Sequence, residues 1–304
     1  MLSADVERYL EMRRASGCKF LSPAYPLRNF AAFAEACGDA VVHTSRVLEW
    51  AILAPSLSQR RLRLLIVRRF ALMMRAEDNR HEVPAADALG RAHFSRPLPY
   101  IYSPEEITRL INAAARMGPP GSIRPLTYAT LFGLLAATGL RISEALALRI
   151  QDITEDALIV RETKFNKSRM VFLHDTVIKA LYAYLSTRSN LGVLEDTLFI
   201  STEGRALTNR IVDYTFLRLA QSIGLRGEPG QPGPRVHDLR HTFAVRSLEH
   251  CPHDRDAVFR HAAALATYLG HSRIEHTYWY LEATPVLLKQ IAAAGEAQYL
   301  GGSP

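Results

Sequence analysis

The chain has 304 residues, a formal net charge of +7, and 48% apolar against 22% charged residues, which excludes a disordered chain and points to about two globular domains. Its three cysteines, Cys18, Cys37 and Cys251, show no CxxC spacing, which argues against a disulfide framework or a cysteine zinc module and fits a reducing cytosol. The N-terminal stretch MLSADVERYLEMRRASG lacks the apolar core of a signal peptide, and no run approaches the ~18 apolar residues of a membrane span.

The first 80 residues read as four helices. The first surrounds Val6, Leu10 and Met12 and ends near Gly17. The second covers Tyr25 to Ala36 and stops at Gly38. The third runs from Ser45 to Leu53, before Pro55. The fourth is SLSQRRLRLLIVRRFALMMRAED, with Leu62, Ile66, Phe70 and Met73 expected on one buried stripe. Arg61, Arg68 and Arg75 recur every seven residues, forming a basic stripe that is either a solvated face or a DNA-facing one. Residues 1–100 carry 15 Lys+Arg against 10 Asp+Glu, so most of the charge excess lies here. A polyanion is the expected partner.

A segment rich in breakers, from Asn79 to Tyr102, marks a boundary and gives expected domains of 1–95 and 96–304. Beyond it, Ser103-Pro104-Glu105-Glu106 is a capping box with proline at the first helical position. An apolar helix over Leu126–Ala137 ends near Gly139, and another begins at Ile142. Two short β-rich runs, 157–162 and 169–173, flank a turn carrying Lys164 and Lys167. These are two of only five lysines in the chain. Helices are expected near 174–187, 208–222, 238–249, 256–268 and 285–294. The expected fold is therefore mainly α with one small antiparallel β-hairpin.

Three segments hold candidate chemistry. In GLRISE, Arg141 sits at a helix start with Glu144 one turn on, so a structural Arg141–Glu144 pair is the plain reading. In VHDLRH, His237 and Arg240 share a helical face and can converge on one small anion. In YLGHSRIEHTYWYL, His271 follows a helix-ending Gly270, and Tyr278 and Tyr280 follow. HDLRH also has the i, i+4 histidine spacing of a zinc-protease helix, with His250, Cys251, His253 and His261 as further ligand candidates. Arg240 on the same turn would repel the ion, and the reading leaves Arg141, Lys164 and Tyr280 unused.

Taken in order, GLR-I-S-E, a lysine in a β-turn, H-x-L-R, L-G-H and a tyrosine nine residues later resemble the tyrosine recombinase (phage integrase) family over Ser103–Ala294. The resemblance implies a catalytic set of Arg141, Lys164, His237, Arg240, His271 and Tyr280, with Glu144 orienting Arg141. Lys167 competes with Lys164, because the glycines of the family's turn are replaced here by Thr163 and Phe165; otherwise Lys167 contacts the DNA backbone. Tyr278 competes with Tyr280, which the family interval selects. TYWYLEATP is similar to recombinases of transposable elements.

The family also implies an N-terminal SAM-like helical core-binding domain and a catalytic domain that form a C-shaped clamp on double-stranded DNA. Further implications are a homo-tetramer on paired sites or a hetero-assembly with other recombinases, and a C-terminal exchange helix (ATPVLLKQIAAAG) docking on a neighbour. In the implied reaction a tyrosine attacks a phosphodiester and forms a 3′-phosphotyrosine, storing the bond energy so that neither ATP nor metal nor other cofactor is needed. His237 is the implied proton acceptor, and Lys164 the donor to the leaving 5′ oxygen.

Overall fold

The computed structural model describes residues 1–17, 20–90, 99–161, 168–192, 195–228, 230–250, 255–270 and 280. Lys164, Lys167, His271, Tyr278 and the expected helix at 285–294 lie outside the described residues. The chain divides into two compact units, Met1–Arg96 and Pro97–Pro304.

The first unit holds α1 (Leu2–Ala15), α2 (Leu21–Ala36), α3 (Thr44–Ile52) and α4 (Leu57–Glu77). Each helix buries one stripe, because none is apolar all round. Val6 and Leu10 of α1 meet Leu27 and Phe30 of α2, Val47 and Trp50 of α3, and Leu64, Val67 and Phe70 of α4 in one core. Edge-on ring contacts, Tyr9–Phe70 at 5.5 Å and Phe30–Trp50 at 5.4 Å between centroids, fix the helices against each other. Ser56 caps α4 by accepting from the Gln59 amide at 3.3 Å. The buried stripe of α4 is Leu64, Val67, Phe70, Ala71 and Met74 with Ile66, so it is turned from the expected one. Leu62 is exposed and Met73 only half-buried. Leucine occurs on both sides of this helix, and apolar spacing by itself does not choose between them.

The second unit begins at α5 (Pro104–Ala115), where Ser103 and Glu106 form the reciprocal capping box. At its centre is α6 (Arg124–Thr138), which buries residues on nearly every side and packs against α5, α8 (Asp175–Ser189) and α10 (Val236–Glu249). Gly139 ends α6 in the left-handed region, φ 61°. The chain then turns into α7 (Ile142–Ala147) and one 3₁₀ turn, Ile150–Asp152. Strands β1 (Ala157–Val160) and β2 (Arg169–Phe172) pair antiparallel, with Ala157 opposite Phe172 and Val160 opposite Arg169. The remaining described helices are α9 (Asn209–Ser222) and α11 (Arg255–Leu269). Leu158 and Val171 of the hairpin join Leu131, Phe132, Leu135, Tyr184, Phe199 and Phe216 in the main core. A smaller cluster, Ala244, Val245 and Leu248 with Ala262, Leu265 and Leu269, packs α10 on α11 and encloses Tyr280. Among the described residues, no helix is long and apolar enough to cross a membrane.

Candidate active site

Arg141 is placed by a helix start. It is the N-cap of α7, its backbone N–H donates to Glu144 Oε2 at 3.1 Å, and its Nη1 donates to Glu144 Oε1 at 2.7 Å. A carboxylate three residues into a helix reaches back naturally to the uncapped amide, so the R-x-x-E spacing holds the arginine at both ends. Its other contacts come from far along the chain: Nη2 donates to the Gly270 carbonyl at 3.1 Å and Nη1 to that of Leu269 at 3.5 Å.

Arg240 approaches the same place from α10. It is almost fully buried, and donates to the Gly139 carbonyl and the Leu269 carbonyl, each at 2.7 Å. Burial, with the charge of Arg141 next, lowers its pKa to about 10, and it remains a cation at neutral pH. Two guanidinium groups thus meet at the C-terminal end of α11, whose carbonyl oxygens carry the negative end of the helix dipole. A phosphodiester oxygen offers the same donors a full charge.

A third arginine belongs to this group and was not expected. Arg169 opens β2 and closes a fork on Glu144, with Nη1 to Oε1 at 3.2 Å and Nη2 to Oε2 at 2.8 Å. Its Nε donates to the Tyr268 carbonyl at 2.7 Å. Burial raises the Glu144 carboxyl, but the hydrogen bond and charge of Arg169, followed by those of Arg141, bring it down to about 2. One carboxylate therefore serves two arginines and leaves the site cationic. Gly270 makes this approach possible: a Cβ there would stand 2.9 Å from Arg169 Nη1, and its φ is +66°.

His237 is the second residue of α10 and has a face in solvent. Loss of water around the ring, and then the charge of Arg240, push its pKa below the ordinary histidine value. One turn on, His241 meets it edge to face, with centroids 4.7 Å apart. The Tyr280 hydroxyl lies 3.0 Å from His241 Nδ1. Tyr280 itself is buried, 3% exposed, against the α10–α11 cluster. The sequence shows His241 as half of a zinc-like pair; its spacing of four from His237 also places it on that histidine's face of α10, the signal that locates it. Among the described residues, no group of three His, Cys, Asp or Glu side chains could hold a metal ion.

The structure thus brings together Arg141, Glu144, His237, Arg240 and Tyr280, and adds Arg169 and His241. The basic stripe of α4 is more divided. Arg61 donates to the Gly90 carbonyl, and Arg68 to the Pro84 carbonyl at 2.9 Å, so both hold the segment that follows the helix. Arg75 is exposed.

Comparisons with known proteins identify the family. The phage integrase family model matches residues 101–285. A Sinorhizobium fredii protein named as integrase/recombinase y4rB is 38% identical over 296 residues, covering 94% of each chain. Tyrosine recombinase XerC of Shewanella amazonensis is 28% identical over 198 residues, 65% of this chain and 60% of that one. Among solved structures, the XerH site-specific recombinase bound to its palindromic difH substrate in a post-cleavage complex superposes with a TM-score of 0.69 at 21% identity, over 97% of this chain and 85% of that one. The chain belongs to the phage integrase family, the tyrosine recombinases. It is a site-specific DNA recombinase, an enzyme that cuts and rejoins DNA.

Proposed function

We propose that this chain breaks and rejoins double-stranded DNA at specific sites through a 3′-phosphotyrosine at Tyr280. The observation that carries the reading is the convergence of Arg141 and Arg240 on one carbonyl oxygen, with the Tyr280 hydroxyl near enough to Arg240 for their charges to interact.

A phenol of pKa about 10 is a weak nucleophile at neutral pH and needs a proton acceptor as it attacks. His237, on the first turn of α10, is the acceptor that the family resemblance implies. Negative charge gathers on the non-bridging oxygens in the transition state, where Arg141 and Arg240 hold it with directional donors and His271 adds a hydrogen bond. Lys164, in the turn between β1 and β2, protonates the leaving 5′ oxygen, with Lys167 as the alternative donor or a backbone contact. Glu144 orients Arg141. Because the phosphotyrosine conserves the energy of the broken bond, a second 5′ hydroxyl reverses the attack, and the scheme calls for neither ATP nor a cofactor.

The first unit supplies grip on the duplex through its arginines. Four protomers, all of this chain or mixed with other recombinases, pair two sites, and the segment after Tyr280 docks on a neighbour. The work takes place at the nucleoid, in the reducing cytosol. The decisive assay is a nicked suicide substrate carrying the recombination site. Tyr280→Phe is expected to bind DNA and form no covalent adduct, whereas Tyr278→Phe still forms one. The reverse pattern would move the nucleophile to Tyr278.

A further inference from the structure

Four observations meet at the second histidine of α10. His241 Nδ1 lies 3.0 Å from the Tyr280 hydroxyl, a hydrogen-bonding distance. The imidazole's other nitrogen, Nε2, is 4.0 Å from Asp238 Oδ1. Asp238 is itself fixed: the Arg235 amide donates to Oδ2 at 2.8 Å and Arg235 Nη2 to Oδ1 at 2.9 Å. The ring of His237 packs edge-on against it. One imidazole thus has a carboxylate near one nitrogen and a hydroxyl at the other.

We propose that His241 is a catalytic residue, the direct proton acceptor for Tyr280, with Asp238 as its positioning partner. The inference rests on the reading of Tyr280 as nucleophile and departs from the resemblance, which implies His237 for the same task.

The chemistry follows from the tautomer. At 4.0 Å, Asp238 acts on Nε2 through its charge rather than by a hydrogen bond, and a negative charge on that side favours the Nε2–H form. Nδ1 then carries its lone pair toward the phenol, and the hydroxyl donates to it. As the phenolic O–H bond breaks, the proton moves to Nδ1 and the oxygen bonds to phosphorus. The phosphorus–5′ oxygen bond breaks, and that oxygen takes a proton from the lysine of the β-turn. In the reverse step the imidazolium returns its proton to the departing phenolate. Orientation by a buried carboxylate follows the logic of hydrolase triads, with a phenol replacing the serine.

Among the described residues, His237, Asp238, Arg235 and Arg240 of α10 face His241, as does Tyr280 from the chain beyond α11. Burial, then the nearby charge of His237, lowers the His241 pKa to about 4 without DNA. The ring is therefore neutral at pH 7. A phosphodiester brings negative charge to the same site and shifts this value upward, toward a range suited to proton transfer.

The test uses the full chain and the nicked suicide substrate. His241→Asn places an amide where Nδ1 stands, so it can still hold the hydroxyl but cannot take the proton. Adduct formation is expected to fall by about 10²- to 10⁴-fold with DNA binding kept. The rate should then rise steadily with pH, and fluorotyrosine at position 280, a more acidic phenol, should restore much of it. The proposal is overturned if His241→Asn reacts at the parent rate, if fluorotyrosine gives it no rescue, or if His237→Asn is the variant rescued. Adduct formation by Tyr280→Phe would instead sink the nucleophile assignment beneath it. A second measurement does not depend on the variant folding. Imidazole ¹⁵N resonances of the unsubstituted chain should show His241 with Nδ1 unprotonated; an Nδ1–H tautomer would overturn the proposal.

Discussion

Arg169 grips Glu144 with two hydrogen bonds while Arg141 holds the same carboxylate from the other side. Glu144 titrates near 2 in the folded chain and near the ordinary 4.5 when unfolded. A depressed carboxylate contributes stability that is full above the unfolded value and disappears as pH falls through the folded one. The acid-sensitive window is therefore about pH 4.5 to 2, worth about 3 kcal/mol across it. Melting of the parent chain and of Glu144→Gln should converge over this window, and parallel curves would show that the carboxylate is not the group responsible.

Removing Arg240 should cost both fold and chemistry. Arg240→Ala leaves the buried Gly139 and Leu269 carbonyls short of a charged donor, a loss of about 2–4 kcal/mol by the usual value of such bonds. Covalent adduct formation should fall by about 10²- to 10³-fold, as for other lost transition-state donors. Arg240→Lys should recover melting temperature better than rate, because an ammonium cannot hold two acceptors in one plane.

Gly139→Ala should destabilise the second unit without touching a charged group. Its φ of +61° disfavours a side chain, and the new Cβ would lie 2.5 Å from the Phe243 ring. That ring stacks on Tyr268 at 5.6 Å, so it cannot swing aside freely. A fall of several degrees in Tm is expected, with slower adduct formation because Gly139 also positions Arg240.

The α4 arginines should separate in a salt titration. Arg75→Ala should lower the slope of log affinity against log salt by about one phosphate contact and leave melting unchanged. Arg68→Ala should lower the melting temperature of the first unit, since its guanidinium holds the Pro84 carbonyl. Equal effects on slope would assign both to DNA.

Lys164→Ala should lose most adduct formation on ordinary DNA and regain it when the 5′ oxygen is replaced by a better leaving group. Rescue of Lys167→Ala in its place would move the proton donor to that residue.

Element types were readable because they depend on near neighbours. Ser103 and Glu106 announce a helix start from four consecutive residues, and Gly139 announces a stop. The spacing of Arg141 and Glu144 was equally legible, since one turn of helix makes them touch. On α4 the same logic placed Ile66 and Phe70 in the core but also turned Leu62 inward, because which way Leu62 faces depends on how α1, α2 and α3 pack on the helix, which apolar spacing does not report.

The sequence by itself determined the order of the chemical groups, the cationic character of the site and the family, all properties of residue identity and spacing along the chain. Only the tertiary structure decided that Arg169 shares Glu144 with Arg141, that Arg141 and Arg240 end on the Leu269 and Gly270 carbonyls where α11 stops, and that His241 is the ring at the Tyr280 hydroxyl. These contacts join α7, β2, α10 and the chain beyond α11. They form when the apolar cores close, and no local periodicity encodes which polar groups that closure brings within 3 Å of each other.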